Sequence, residues 1–132
     1  MLYLKVVIIL KPKAFKTKKF SKNARIAQIS DADLCHAIDQ VMGGQAVDLG
    51  GGVYKKRLNK NKHRSIILAK GGQYWVYEYL FAKKDRDNID DAELAMFRML
   101  AKGYEVLTTS QLAKLIEQKL LLEICHDCEE KI

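Results

Sequence analysis

The sequence predicts an α+β domain in which N-terminal helices pack on a small antiparallel sheet and C-terminal helices follow. Three observations carry this. Helical periodicity with capping signals dominates residues 11–44, β-branched and aromatic runs bounded by glycines and polar turns fill residues 53–83, and helical periodicity returns after Asp90. Helices, then strands, then helices is an α+β order; a doubly wound fold would alternate them.

Met1–Leu10 is dominated by Leu, Val and Ile and contains Lys5. It is about half the length a membrane-spanning helix needs, and it lacks a basic leader and a small-residue cleavage site. It reads as a strand, so residues 1–13 form an N-terminal extension and residues 14–132 one domain. Lys11–Arg25 holds seven basic residues and no acid. Phe15, Phe20, Ala24 and Ala27 fit one side of a basic amphipathic helix there. Ser30 with Asp33 forms a capping box, Leu34, Ile38 and Val41 make an apolar stripe, and Gly43-Gly44 stops that helix.

Gly50-Gly51-Gly52 leads into a strand over 53–59. The polar turn Asn59–His63 leads to a second over 64–70, and Gly71-Gly72 to a third over 73–83, which together make a meander. In the first strand Lys55 and Arg57 point to one face, Tyr54 and Leu58 to the other. Asp90 with Glu93 caps a helix carrying Leu94, Phe97 and Leu100 and ending at Gly103. Thr108 with Gln111 caps another carrying Leu112, Leu115 and Ile116, and Leu120–Cys125 reads as a short final strand.

The charge is unevenly spread. The chain of 132 residues has a net charge of +7, yet residues 1–70 carry 15 Lys/Arg against 4 Asp/Glu, and residues 71–132 carry 8 against 12. Concentrated basicity points to a polyanionic partner. Phosphate-loop, nucleophile-elbow and zinc-helix motifs are absent, and the triple glycine precedes a strand where a dinucleotide fingerprint would open a helix. Cys125-His126-x-Cys128 lacks the second ligand pair that closed zinc sites use. Asp85, Asp87, Asp90 and Asp91 are interleaved with Lys83, Lys84 and Arg86, so no metal site and no cofactor are expected. Three cysteines in no framework spacing suit free thiols in a reducing cytoplasm.

What remains is cationic. Lys55, Lys56, Arg57, Lys60, Lys62 and Arg64 lie on two adjacent strands and their turn, and Lys83, Lys84 and Arg86 close the third. A meander brings these groups to one end of the sheet, where like charges repel unless an anion binds. The residues alone fit two readings: a site for metal-free phosphodiester chemistry, or a solvated basic face that binds nucleic acid without catalysis.

The blocks Phe15-Lys16-Thr17-Lys18 with Phe20, Asp33-Leu34-Cys35, Asp48-Leu49-Gly50-Gly51-Gly52-Val53-Tyr54-Lys55-Lys56-Arg57 and Phe81-Ala82-Lys83-Lys84-Asp85-Arg86-Asp87-Asn88-Ile89 resemble the RelE/ParE superfamily. The match is to the RelE-like branch with an extended helical C-terminus, over residues 14–124. The resemblance implies a toxin–antitoxin pair whose toxin cleaves mRNA in the ribosomal A site without metal, the 2′-OH attacking the adjacent phosphate. By position it implies catalytic roles for Lys55, Arg57, Arg64, Lys83, Lys84 and Arg86. Lys16, Lys18, Lys19 and Lys22 on the first helix, with Lys56, Lys60 and Lys62, would bind ribosomal RNA. The implied partners are the ribosome, mRNA and an adjacently encoded antitoxin, a small helix-turn-helix protein. RelE has a tyrosine near the chain end, whereas Asp90 stands near the matching position here. His63 and Tyr79 are then the candidates for the acid–base partner. A gyrase poison of the ParE kind is disfavoured by this cationic set.

Overall fold

The structure, a computed structural model, describes residues 13–70 and 73–125. The order is β1 (Lys13–Thr17), α1 (Lys18–Ile26), α2 (Asp31–Met42), β2 (Val47–Gly50), β3 (Val53–Leu58), β4 (His63–Lys70), β5 (Tyr74–Ala82), α3 (Asp91–Glu105), α4 (Thr109–Glu117) and β6 (Leu121–Ile124). The strands make one sheet in the order β2-β3-β4-β5-β1-β6. β1 runs parallel to β5, and every other pair is antiparallel.

The α+β class and the β3-β4-β5 meander therefore stand, but the sheet is larger and mixed. The cause is β1, which inserts between β5 and β6 so that the helices follow a strand. Lysine and phenylalanine spacing places Lys13–Thr17 in the first helix, whereas the structure makes it a strand. Extended, it bonds to a strand on either side, and helix begins only where the Thr17 hydroxyl accepts from the Phe20 N–H at 3.0 Å. Phe15 and Phe20 consequently face opposite cores. The expected strand over residues 1–10 lies outside the described residues, as does the Gly71-Gly72 turn.

Local signals place the other helices. Ser30/Asp33, Asp90/Glu93 and Thr108/Gln111 each form reciprocal capping boxes. α3 runs through Gly103 to Glu105, since an exposed helical glycine weakens a helix by only about 1 kcal/mol. β2 is an addition the sequence reading lacked, and β6 falls within the expected 120–125 segment.

Alternation along the strands divides the interior in two. Phe20, Ala24, Leu34 and Ile38 of α1 and α2 pack with Leu58, Ile67, Tyr77 and Leu80. Phe97 and Ala101 of α3 pack on the other face with Val53, Ile66, Leu68, Val76 and Phe81. The buried Tyr77 hydroxyl donates to the Leu34 carbonyl at 2.7 Å, which tethers α2 to the sheet. The triple glycine is explained here. Gly50, Gly51 and Gly52 all have positive φ, and a Cβ on Gly51 would lie 2.8 Å from Arg98 Cγ. Arg98 donates to the Leu49 and Gly50 carbonyls, so this motif docks α3 against the β2–β3 turn.

Cys35 on α2 and Cys125 just beyond β6 are disulfide-bonded, their Cα atoms 5.4 Å apart. This corrects the expectation of free thiols. The two stand 90 positions apart in sequence, so spacing gives no hint of the pair. Among the described residues, no helix is long and apolar enough to cross a membrane.

Candidate active site

β3 ends, β4 begins and β5 ends at one edge of the sheet. Leu58 pairs with His63, His63 with Ala82, and the Lys83 N–H donates to the Lys62 carbonyl at 2.9 Å. The convergence read from the meander is therefore present. The β3–β4 turn is sharp: Asn59, Lys60 and Asn61 all adopt left-handed φ, between 54° and 70°. Asparagine tolerates that conformation and lysine does so less well. Asn61, Lys62, His63, Ala82, Lys83 and Lys84 line a cleft of about 530 Å³ at this edge.

Arg64 is the unusual member. It is only 8% exposed, and its Nη1 donates to the carbonyls of Asn61 and His63 at 3.1 and 3.2 Å. It pairs directly across the ladder with Arg57. Among the described residues the ion pairs are Lys16–Asp31 and Arg86–Glu93, so Arg64 has no acidic partner. A buried guanidinium held by carbonyls and facing another arginine is stabilised by an incoming anion. Lys55, two residues before Arg57, shares its face of β3, in register with Ile66 of β4.

The structure separates other cations from this group. Lys56 points to the α2 side, where Nζ donates to the Gln45 carbonyl at 3.0 Å. Burial, then Arg57, lowers its pKa. Arg86 donates to both Glu93 carboxylate oxygens at 3.0 and 2.6 Å, to the Tyr79 hydroxyl at 3.2 Å and to the Asn88 carbonyl at 3.0 Å. Four of its five N–H donors thus serve the β5–α3 connection, and Tyr79 is engaged with it while stacking on Phe97. Lys16 sits on β1, not α1, and its ammonium is 2.7 Å from the Asp31 carboxylate. Lys18, Lys19, Lys22 and Arg25 do share a recess on α1. The end of that helix meets the turn, with the Ala27 carbonyl 3.5 Å from Asn59 Nδ2. Lys60 and Lys62 lie on the turn itself.

His63 lies in the cleft with Lys62, Lys83 and Lys84, and its Nδ1 is 3.2 Å from Asn59 Nδ2. Burial, then Lys62 and Lys84, lower its pKa from the ordinary 6.5, with Asp85 opposing them. Asn59 and Asn61 were not singled out in the sequence. Their place in a compact turn beside cationic strands was the available signal. Among the described residues, no group of three or more His, Cys, Asp or Glu side chains is arranged to hold a metal ion.

The Arg86–Glu93 pair has a pH signature. Hydrogen bonds from Arg86, then the Asp90 backbone N–H, hold the Glu93 carboxyl below its ordinary 4.5. A depressed folded-state pKa stabilises the fold fully above about 4.5 and loses that contribution as pH falls through the lower folded value. Glu93→Gln should therefore lower Tm at pH 7, with the difference from wild type shrinking below pH 4.5 in a thermal-melt series.

No curated protein and no solved structure matches the chain at a significant level. The family model described as RelE toxin of RelE / RelB toxin-antitoxin system matches residues 12–124, spanning the cationic edge and all six strands. With that match over most of its length, the chain belongs to the RelE toxin family.

Proposed function

We propose that this toxin is a ribosome-dependent mRNA endonuclease that inhibits translation. In this reading the 2′-oxygen of one nucleotide attacks the adjacent phosphorus, leaving a 2′,3′-cyclic phosphate and a 5′-OH, with no metal taking part. The observation that carries the reading is Arg64, a buried guanidinium that has no acidic partner among the described residues, at a sheet edge where Arg57, Lys83 and Lys84 also stand. Arg64 and Lys84 contact the scissile phosphate and stabilise charge growing on its equatorial oxygens. Lys55, Arg57 and Lys83 hold the flanking backbone. Lys18, Lys19 and Lys22 on α1, with Lys60 and Lys62 on the turn, grip ribosomal RNA. Lys16, Lys56 and Arg86, already engaged within the protein, support the frame around the site.

The family implies a cognate antitoxin. We assign it to a small helix-turn-helix protein encoded next door, which an exposed cationic cleft would engage through acidic side chains.

Inducing the toxin in bacteria should arrest growth and leave mRNA with new 5′ ends in phase with codons. Growth arrest with intact mRNA would instead indicate a non-catalytic ribosome binder. DNA breaks would indicate a gyrase poison.

A further inference from the structure

Lys56 is a buried ammonium short of partners. The residue is only 8% exposed, and among the described residues its Nζ makes one hydrogen bond, to the Gln45 carbonyl, although an ammonium carries three donors. The ion pairs among the described residues leave it without a carboxylate. A charge held out of water on one bond destabilises the fold until an anion joins it. We infer that the groove beside it, between residues 45–47 and 55–57, seats an acidic side chain of the antitoxin, with Lys56 as the buried counter-ion; this rests on the antitoxin assigned above.

The groove has a local cause. Val47 is the first residue of β2 in register with β3, opposite Lys55. Just before it, the Gln45 N–H donates to the Gln40 carbonyl of α2 at 2.8 Å, which holds residues 45 and 46 toward the helix. Their parting from β3 opens a groove of about 360 Å³, lined by Gln45, Ala46, Val47, Lys55, Lys56 and Arg57. Lys56 is fixed from both ends. The Ser65 hydroxyl donates to its carbonyl at 3.0 Å, and the Gln45 carbonyl holds Nζ at 3.0 Å.

The lining favours a protein over RNA. Ala46 and the half-exposed Val47 present apolar surface beside the cations, which suits a carboxylate carried next to an apolar side chain. A single ammonium with little access matches one carboxylate, whereas an RNA backbone suits an exposed row such as Lys18, Lys19 and Lys22 on α1. The Lys56 ammonium also lies on the α2 side of the sheet, away from the face that Arg57 and Arg64 share with the α3 core. The antitoxin's acid therefore has a seat apart from the phosphate site.

Purified toxin and the adjacently encoded protein test the seat, with dissociation constants and off-rates for wild type, Lys56→Met and Lys56→Gln. Methionine keeps much of the lysine stem and removes the charge. Lys102→Met, exposed on α3, controls for losing one positive charge. Both Lys56 variants should bind about 30–1,000-fold more weakly, mostly through faster dissociation. The free Lys56→Met toxin should melt at or above the wild-type temperature, since a buried charge short of partners is gone. Lys102→Met should bind within a few-fold of wild type. Wild-type affinity in the Lys56 variants, an equal loss in Lys102→Met, or a lower Tm for free Lys56→Met would overturn the seat. Weakened ribosome binding with the antitoxin unaffected would overturn it in favour of an RNA contact. An adjacent protein that leaves wild-type toxin unbound would overturn the antitoxin assignment itself, and this inference with it.

Discussion

Arg64→Ala should slow single-turnover cleavage on programmed ribosomes by about 10²–10³-fold at saturating protein, on the scale of losing one oxyanion-hole donor. Ribosome affinity should stay within a few-fold of wild type. Arg64 is nearly buried, so its charge acts in a medium where water screens little. Its two contacts to the turn carbonyls both come from Nη1, so the rest of the guanidinium remains to face the phosphate. Removing it also relieves the repulsion with Arg57 opposite, so Tm should not fall as it would for a paired arginine. Lys18→Ala is the contrasting variant. Its ammonium lies on α1 among other cations, where the expected loss is affinity. The salt dependence of binding should flatten by about one unit of log–log slope, with the saturated rate nearly unchanged. If Arg64→Ala loses only affinity, the cationic edge is a docking surface.

Breaking the Cys35–Cys125 bond should lower the free energy of unfolding by on the order of 2–5 kcal/mol. The bond closes a loop across a sequence separation of 90, and the chain-entropy account of cross-links gives its largest values for long loops. It also joins α2 to the end of β6, whose sheet partner among the described residues is β1. Urea denaturation with and without reductant measures the effect, and Cys35→Ser should match the reduced wild type. Hydrogen exchange in the reduced protein should rise first in β6. A midpoint that ignores reductant would contradict the cross-link.

What could be read in advance was what short-range chemistry decides. The capping boxes at Ser30, Asp90 and Thr108 hold because a cap involves residues three apart. The joining of strand ends near His63 and Lys83 follows from meander connectivity. The missed features depend on distant partners. β1 is extended because β5, some sixty residues later, offers a parallel edge, and no local period reveals that. The Arg86–Glu93 ion pair spans the β5–α3 connection, so charge clustering alone does not reveal it. Lys56 was placed in the RNA-binding set although alternation already put it on the face opposite Lys55 and Arg57. Its contact with Gln45 makes that separation concrete.

The most direct measurement is the chemistry of the ends left when purified toxin meets programmed ribosomes. The account predicts codon-phased fragments with a 2′,3′-cyclic phosphate on one side and a 5′-OH on the other from wild type, and no fragments at the same time point from Arg64→Ala. Intact mRNA on ribosomes that have demonstrably bound the wild-type protein would contradict it, as would ends carrying a 5′-phosphate.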